Sequence, residues 1–233
     1  MHLFHTPEIL DPFTDLPDEE AHHAFAVLRL RTGDRIGLLD GKGTRAEAEI
    51  VELDRRSTKV KITSRLNFPP ERAFKIHMAV ALIKNIDRFE WFMEKAVEIG
   101  VDRITPLITD RSERTKFRMD RGLKVMIAAM KQSQRVWLPI LGQPRKLKEI
   151  IAANEMQQRF FGWCEGEHVP LMEAYTTSSD ALVVIGPEGD LSIEEAELLK
   201  QHGFQPVSIG SARLRTETAA IAACAWMSLL QQR

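Results

Sequence analysis

Cysteine is scarce in this chain: Cys164 and Cys224 are the only two in 233 residues, and they stand far apart in no paired motif. That argues against a disulfide framework and a zinc ribbon and makes a reducing cytoplasm the expected compartment. Long apolar runs are missing too. No window approaches the ~18 consecutive apolar residues of a membrane span, so no membrane association is expected. The N-terminal stretch "MHLFHTPEILDPF" carries prolines and acids where an export signal needs a basic start followed by an apolar run. An excess of one charge is also lacking. Lys and Arg total 32 against 33 Asp and Glu, and the isoelectric point is near 6.7. Any nucleic-acid contact must therefore rest on a local basic patch and not on bulk charge.

Several familiar motifs are absent. There is no G-x-G-x-x-G, which removes the fingerprint of an ordinary dinucleotide fold, and no G-x-S-x-G nucleophile elbow. "GLLDGKG" has some likeness to a phosphate loop, but its glycine spacing is one residue short and Gly43 stands where Ser or Thr is required. It also sits inside a hairpin pattern. His22 and His23 have no further His, Cys or carboxylate at ligand spacing nearby, so no metal site is expected.

What is present reads as a soluble globular chain, 44% hydrophobic and 28% charged, long enough for one large domain or two small ones. "PDEEAHHAFAVLRLRTGD" predicts a short helix opening near Pro17-Asp18 and closing before Gly33. "DRIGLLDGKGTRAEAEIVELDRRSTKVKITSRL" alternates apolar and polar residues between turn clusters, the pattern of hairpins in a small barrel or sandwich. "NFPPER", Asn67 to Arg72, breaks the chain with two adjacent prolines, so domains over 1–68 and 72–233 are expected. Beyond it the texture changes. "FKIHMAVAL", "VDRITPLIT", "RFFGW", "ALVVIG" and "QPVSIG" read as strands. "KNIDRFEWFMEKAVEIG", "RGLKVMIAAMKQSQRVW", "SIEEAELLKQHG" and "TETAAIAACAWMSLLQQ" read as helices. This alternation predicts an α/β fold with a mostly parallel sheet.

Two stretches carry the functional signal. In "IGPEGDLSIEEAELL", Ser192 and Glu195 have the spacing of a capping box, which accounts for the segment after Asp190. It does not account for Gly186-Pro187-Glu188-Gly189, whose glycines allow close approach of another group. Loops at the carboxyl ends of strands are where ligands sit in such sheets. "IGSARLRTETAA" repeats the plan of strand, glycine, polar loop and helix. Taken alone, each is either a capped turn or a ligand loop; side by side they favour a shared site. "RSERTKFRMDR", Arg111 to Arg121, holds five basic residues against two acidic ones. It is either a solvated face or a track for a phosphate backbone.

Together these segments resemble the 16S ribosomal RNA uridine-N3 methyltransferase family of the knotted SPOUT class. "IGPEGDLSIEE" and "IGSARLRTETAA" are similar to that family's paired C-terminal motifs. "KNIDRFEWFMEKAVEIGVDRITPLITDRSERT", "KQSQRVWLP", "HHAFAVLRLRTGD" and "LLDGKG" match further along the whole chain. The chain departs at Asp190 and Gln134, where the family often has glycine, and at Lys131, where it often has an acid.

The resemblance implies a PUA-like N-terminal barrel, a C-terminal α/β domain with a trefoil knot, a homodimer, S-adenosylmethionine as cofactor, and 16S ribosomal RNA or the small ribosomal subunit as partner. It implies that Leu107, Ile185, Gly186, Gly189, Ile209, Gly210, Leu214 and Thr216 grip the cofactor. Arg215 would stabilise charge on the uracil oxygens, and Glu188 or Glu217 would accept the N3 proton. RNA would be met by Arg29 and Arg31 beside the barrel, and by Arg111, Arg114, Gln132 and Arg135. The same fold acting on another RNA target and a non-catalytic RNA-binding module are the alternatives. The apolar helix Ala219–Leu230 is either core or a partner surface.

Overall fold

The computed structural model describes residues 1–232. It divides into two compact units: Met1–Glu71 with Ile127–Leu138, and Arg72–Met126 with Pro139 onward. The first unit is built on a five-stranded sheet. Its strands are β1 (Leu3–His5), β2 (Phe13–Asp15), β3 (Arg35–Leu39), β4 (Thr44–Leu53) and β5 (Thr58–Asn67), in the order β1-β3-β4-β5-β2. The predicted hairpins are β3–β4 and β4–β5, both antiparallel, while β1 joins β3 in parallel. Alternation in β4 sends Ala46, Ala48 and Ile50 inward to meet Phe4, Ile36, Leu38 and Val60 in one apolar cluster. Each turn is closed by an aspartate. Asp40 Oδ1 accepts from the amides of Lys42 and Thr44 at 2.7 and 2.8 Å, and Asp54 Oδ1 accepts from those of Arg56 and Ser57, both at 2.7 Å. "GLLDGKG" is thus a hairpin turn, stabilised by its own side chain.

The expected first helix forms as α1 (Asp18–His22) and then widens into a π-helical turn over His23–Val27. It ends at Arg29, whose φ is +53°.

The segment Ile127–Leu138 was expected with the C-terminal domain; it packs as part of the N-terminal unit. Lys131 reaches the buried carboxylate of Glu20 at 2.6 Å. The Trp137 indole donates to Pro69 O at 3.1 Å, and Gly43 N donates to Val136 O at 2.9 Å. A charge pair, an indole and a backbone bond outweigh the proximity in sequence that places this stretch elsewhere.

The second unit is built on a seven-stranded sheet in which, among the described residues, every strand pairing is parallel. Its long strands are β6 (Ile76–Ala81), β7 (Arg103–Ile108), β10 (Gln158–Gly162), β11 (Ala181–Ile185) and β12 (Gln205–Val207), with the short β8 (Ile140–Leu141) and β9 (Arg145–Lys146) beside β7. The order is β12-β10-β11-β6-β7-β8, with β9 also on β7. β6 and β11 are buried at every position, as strands covered on both faces must be. The helices are α2 (Ile86–Ile99), α3 (Met119–Ser133), α4 (Leu147–Ala152), α5 (Leu171–Ala174), α6 (Ile193–Gln201) and α7 (Thr216–Leu230).

Local chemistry sets the helix ends. Asn85 caps α2 through Asp87 N at 3.0 Å, and Gly100 stops it at φ +103°. Phe89, Phe92, Met93, Ala96 and Val97 are its buried stripe. On α7, Ala220, Ala223, Cys224 and Met227 are buried while Leu229 is 59% exposed. The apolar excess of α7 is therefore core on one face and surface on another. No helix among the described residues is long and apolar enough to cross a membrane.

A built Cβ on Gly43 would lie 2.5 Å from the Trp137 ring and 2.7 Å from Phe68 O, at a φ of +98°. Overpacking and left-handed strain add, so Gly43→Ala should cost about 2–4 kcal/mol. Urea unfolding followed by tryptophan fluorescence checks this. A loss within error would mean that the turn is free to move away from Trp137.

Candidate functional site

All carboxyl ends of a parallel sheet lie on one edge, and the five loops after the long strands leave that edge. They follow β6 (Leu82–Asn85), β7 (Thr109 onward), β10 (Trp163 onward), β11 (Gly186–Ser192) and β12 (Ser208–Arg215). The two loops singled out by sequence are joined directly: Thr216 Oγ1 donates to Gly186 O at 3.0 Å in a buried bond. Their strand ends also meet. A Cβ built on Gly162 would lie 3.1 Å from Ile209 Cδ1 and 3.3 Å from Ile185 Cδ1, so both isoleucines close over that glycine. Leu107 is fully buried at the end of β7 and accepts from Leu82 N at 2.9 Å through its carbonyl. Leu214 Cδ1 lies 3.7 Å from a Cβ built on Gly210, which folds the second loop back on itself.

The Gly-Pro-Glu-Gly loop is fastened at both sides. Lys84 N–H donates to Glu188 Oε1 at 3.2 Å. The Arg111 guanidinium donates to Gly189 O at 2.7 Å and Leu191 O at 3.0 Å. The expected capping box forms, with Ser192 Oγ accepting from Glu195 N at 3.1 Å and Glu195 Oε2 accepting from Ser192 N at 2.9 Å. Glu195 has a further use, because Oε1 accepts from Asp110 N at 3.0 Å. One carboxylate thus starts α6 and holds the loop after β7.

Asp190 was not singled out as a site residue. Its φ is +61°, a backbone region that Asp tolerates and glycine prefers. Its carboxylate accepts from Leu191 N at 2.8 Å and Cys164 N at 3.1 Å. It therefore ties the segment after β10 to the loop after β11. Burial, and then Asp190, pushes the Cys164 thiol above its ordinary range, so Cys164 is not an activated nucleophile. Lys84 and Arg88, which no motif marks, also take part. Lys84 supplies the amide for Glu188, and Arg88 Nη1 lies 3.8 Å from buried Glu217.

Each remaining candidate has a definite place. Arg215 caps the start of α7 with an extended backbone and an exposed side chain. Its guanidinium has no hydrogen bond or ion pair among the described residues. Glu188 is exposed and Glu217 is 7% exposed. Arg114 is half-buried, with Nη2 donating to Lys84 O at 3.2 Å. In the N-terminal unit, Arg29 and Arg31 are exposed, and Arg31 N is held by Asp34 at 2.7 Å. Gln132 is exposed on α3, whereas Arg135 is half-buried and ion-paired with Glu71.

Chemically, the carboxyl edge offers an apolar floor of Leu107, Ile185 and Ile209. Above it stand exposed acid and base on neighbouring loops and a row of unused donors. The amides of Gly210 to Leu214 make no backbone hydrogen bond among the described residues. Loop amides over apolar side chains suit a flat heterocycle with hydrogen-bonding edges. A cofactor of the nucleoside type fits these residues.

Comparison with known proteins gives a consistent result. Residues 70–228 match the model of an RNA methyltransferase domain, and residues 16–63 match that of an RNA methyltransferase PUA domain. The chain is 29% identical over 216 residues to a ribosomal RNA small subunit methyltransferase E of Rickettsia conorii, covering 91% of this chain and 88% of the relative. It superposes on a probable rRNA-methyltransferase from Porphyromonas gingivalis with a TM-score of 0.91 at 36% identity, covering 100% and 99% of the two chains. It also superposes on a ribosomal RNA small subunit methyltransferase E from Neisseria gonorrhoeae, bound to S-adenosyl methionine, with a TM-score of 0.90 at 29% identity, covering 99% and 98%. The chain therefore belongs to the RNA methyltransferase family, with that family's PUA domain ahead of its methyltransferase domain.

Proposed function

We propose that this protein methylates N3 of a uridine in 16S ribosomal RNA, using S-adenosylmethionine, and works as a cytoplasmic homodimer with its C-terminal loops knotted. The observation that carries the reading is the joining of the two glycine loops at one sheet edge through Thr216 and Gly186. The relatives named as small-subunit methyltransferases, one of them bound to S-adenosyl methionine, support the substrate and cofactor. The half-exposed apolar face of α7 supports a second copy as partner.

The bound cofactor would supply an electrophilic methyl on a good leaving group. The work of the chain is placement, exclusion of water and charge. Ile185, Ile209 and Leu107 would hold the apolar part of the cofactor, and the amides of Gly210 to Leu214 its polar edges. Holding nucleophile and methyl in line is worth about 7–11 kcal/mol of barrier. The N3 position lies on the Watson–Crick edge, so the base must be unpaired, and its N3 proton must leave. Glu188 is the proton acceptor in this reading, because it is exposed and Lys84 N–H engages only Oε1. Glu217 is buried against Arg88 and orients the start of α7. Arg215, unengaged and exposed, is placed to stabilise negative charge developing on the uracil oxygens. Arg111 braces the loop, and Arg29, Arg31 and Gln132 are left to meet RNA; Arg135 holds Glu71.

Nucleoside mass spectrometry of ribosomal RNA from cells with and without the protein tests the whole reading. 3-Methyluridine should vanish from the small-subunit RNA in its absence, and a lost ribose methyl in its place would replace the assignment. Arg215→Ala should keep S-adenosylmethionine affinity within about threefold while turnover falls roughly 100-fold or more; near-normal methylation would remove its role. Glu188→Gln should lower turnover about 100-fold, with Glu217→Gln affecting thermal stability more than rate; the reverse ranking moves the proton to Glu217. Arg29→Ala should weaken RNA binding and reduce the slope of log affinity against log salt by about 1. An unchanged slope would make that arginine incidental.

A further inference from the structure

The opposite, amino-terminal end of the same sheet holds a second polar cluster that the carboxyl-edge site does not use. One row across the central strands runs Leu182, His77, Arg103, Ile140. Residues paired in this way share a sheet face. Farther along that face stand Ala79, Leu107 and Val184, all core. Strands covered on both faces are apolar almost throughout, and a histidine beside an arginine costs stability there unless something compensates it.

The row borders a cavity of about 290 Å³, roofed by Ile150 of α4 and by Met156, with Arg145 of β9 on its rim. His77 is 7% exposed and bonded to Thr105 Oγ1 at 2.8 Å. Arg103 Nε is buried without a hydrogen-bond partner. Glu155 also lines the cavity, yet neither Arg103 nor Arg145 is ion-paired among the described residues. A Cβ built on Gly142 would lie 2.6 Å from Thr105 Oγ1, so the wall at that point is as close as backbone permits. The cavity thus joins two unpaired guanidiniums and a buried histidine to an apolar roof. Burial first, then Arg103 and Arg145, pushes the His77 imidazole down to about 3.

We propose that this cavity binds the phosphate group of a small phosphorylated molecule no larger than a nucleoside monophosphate. Two guanidiniums on different strands match a dianion, and arginine is the residue suited to the planar, forked recognition of phosphate oxygens. The apolar roof takes the organic part. The volume is at the small end of ligand pockets, about 300–1,000 Å³, which excludes a folded RNA segment. The site is independent of methyl transfer at the other edge.

The test is a titration of the full chain with inorganic phosphate and with uridine 5′-monophosphate, followed by the NMR signals of the His77 ring. Those signals are assigned by their loss in His77→Asn. Both probes should give saturable shifts, and the His77 pKa should rise, since a bound dianion offsets the two arginines. Arg103→Gln and Arg145→Gln should each weaken binding about tenfold or more, with thermal unfolding confirming that each variant is folded. No saturable response to either probe up to about ten millimolar, the weak end of specific binding, would overturn the proposal. So would an undiminished response in both folded variants. An oligouridylate without terminal phosphate serves as the RNA arm. If it binds more tightly than the mononucleotide and with the same arginine dependence, the small-molecule assignment falls to a backbone phosphate.

Discussion

Parallel pairing of the central strands is the constraint from which the rest follows. A parallel neighbour requires a crossover, so each strand is followed by a helix or a long connection, and every strand ends on the same edge. Five loops must then share that edge, and each must satisfy its backbone groups there. The protein does so with side chains borrowed from neighbouring loops. Thr216 takes the carbonyl of Gly186, Arg111 takes those of Gly189 and Leu191, and Glu195 takes the amide of Asp110. Fastening of this kind holds a Gly-Pro-Glu-Gly segment in one shape and leaves the exposed groups of Glu188 and Arg215 on rigid supports.

Several residues do two jobs, which ties local stability to the site. Glu195 is both a helix cap and a bridge to the loop after β7. Asp190 takes a left-handed backbone and binds across to the segment after β10. Replacing a side chain at such a position alters the path of two loops at once, so effects on stability and on ligand binding there are not additive.

Much of this was legible in the residues. Alternation in "TRAEAEIVEL" and the continuous apolar runs of β6 and β11 gave strand type and burial. Asn85, Gly100 and the Ser192–Glu195 pair gave helix ends. The two glycine loops were legible as a pair because each repeats strand, glycine, loop and helix. Other features left no local signal. The two-residue strands β8 and β9 are too short for periodicity, and they exist because β7 offers an edge. The π-helical turn over His23–Val27 has no sequence signature. Arg111 stood out as part of a basic run, but only its distance to Gly189 O reveals its bracing role. Asp190 and Gln134, the two places where the resembling family often has glycine, both have positive φ. The departure was visible in sequence, and its meaning needed the backbone.

Helix α3 passes from one compact unit to the other at Met126 and Ile127. The carboxylate of Glu20 waits for Lys131, 111 residues later, and Gly43 waits for Val136 and Trp137. During synthesis, therefore, the N-terminal unit is not finished when the chain has passed the double proline. At about 5–20 residues per second, several more seconds elapse before its last segment is made. For that interval a hairpin sheet with one unpaired buried acid must persist while the parallel sheet is half made. Sheets of high contact order are slow to close. The first unit in the chain is thus completed only after the second has been started, and the second is finished last.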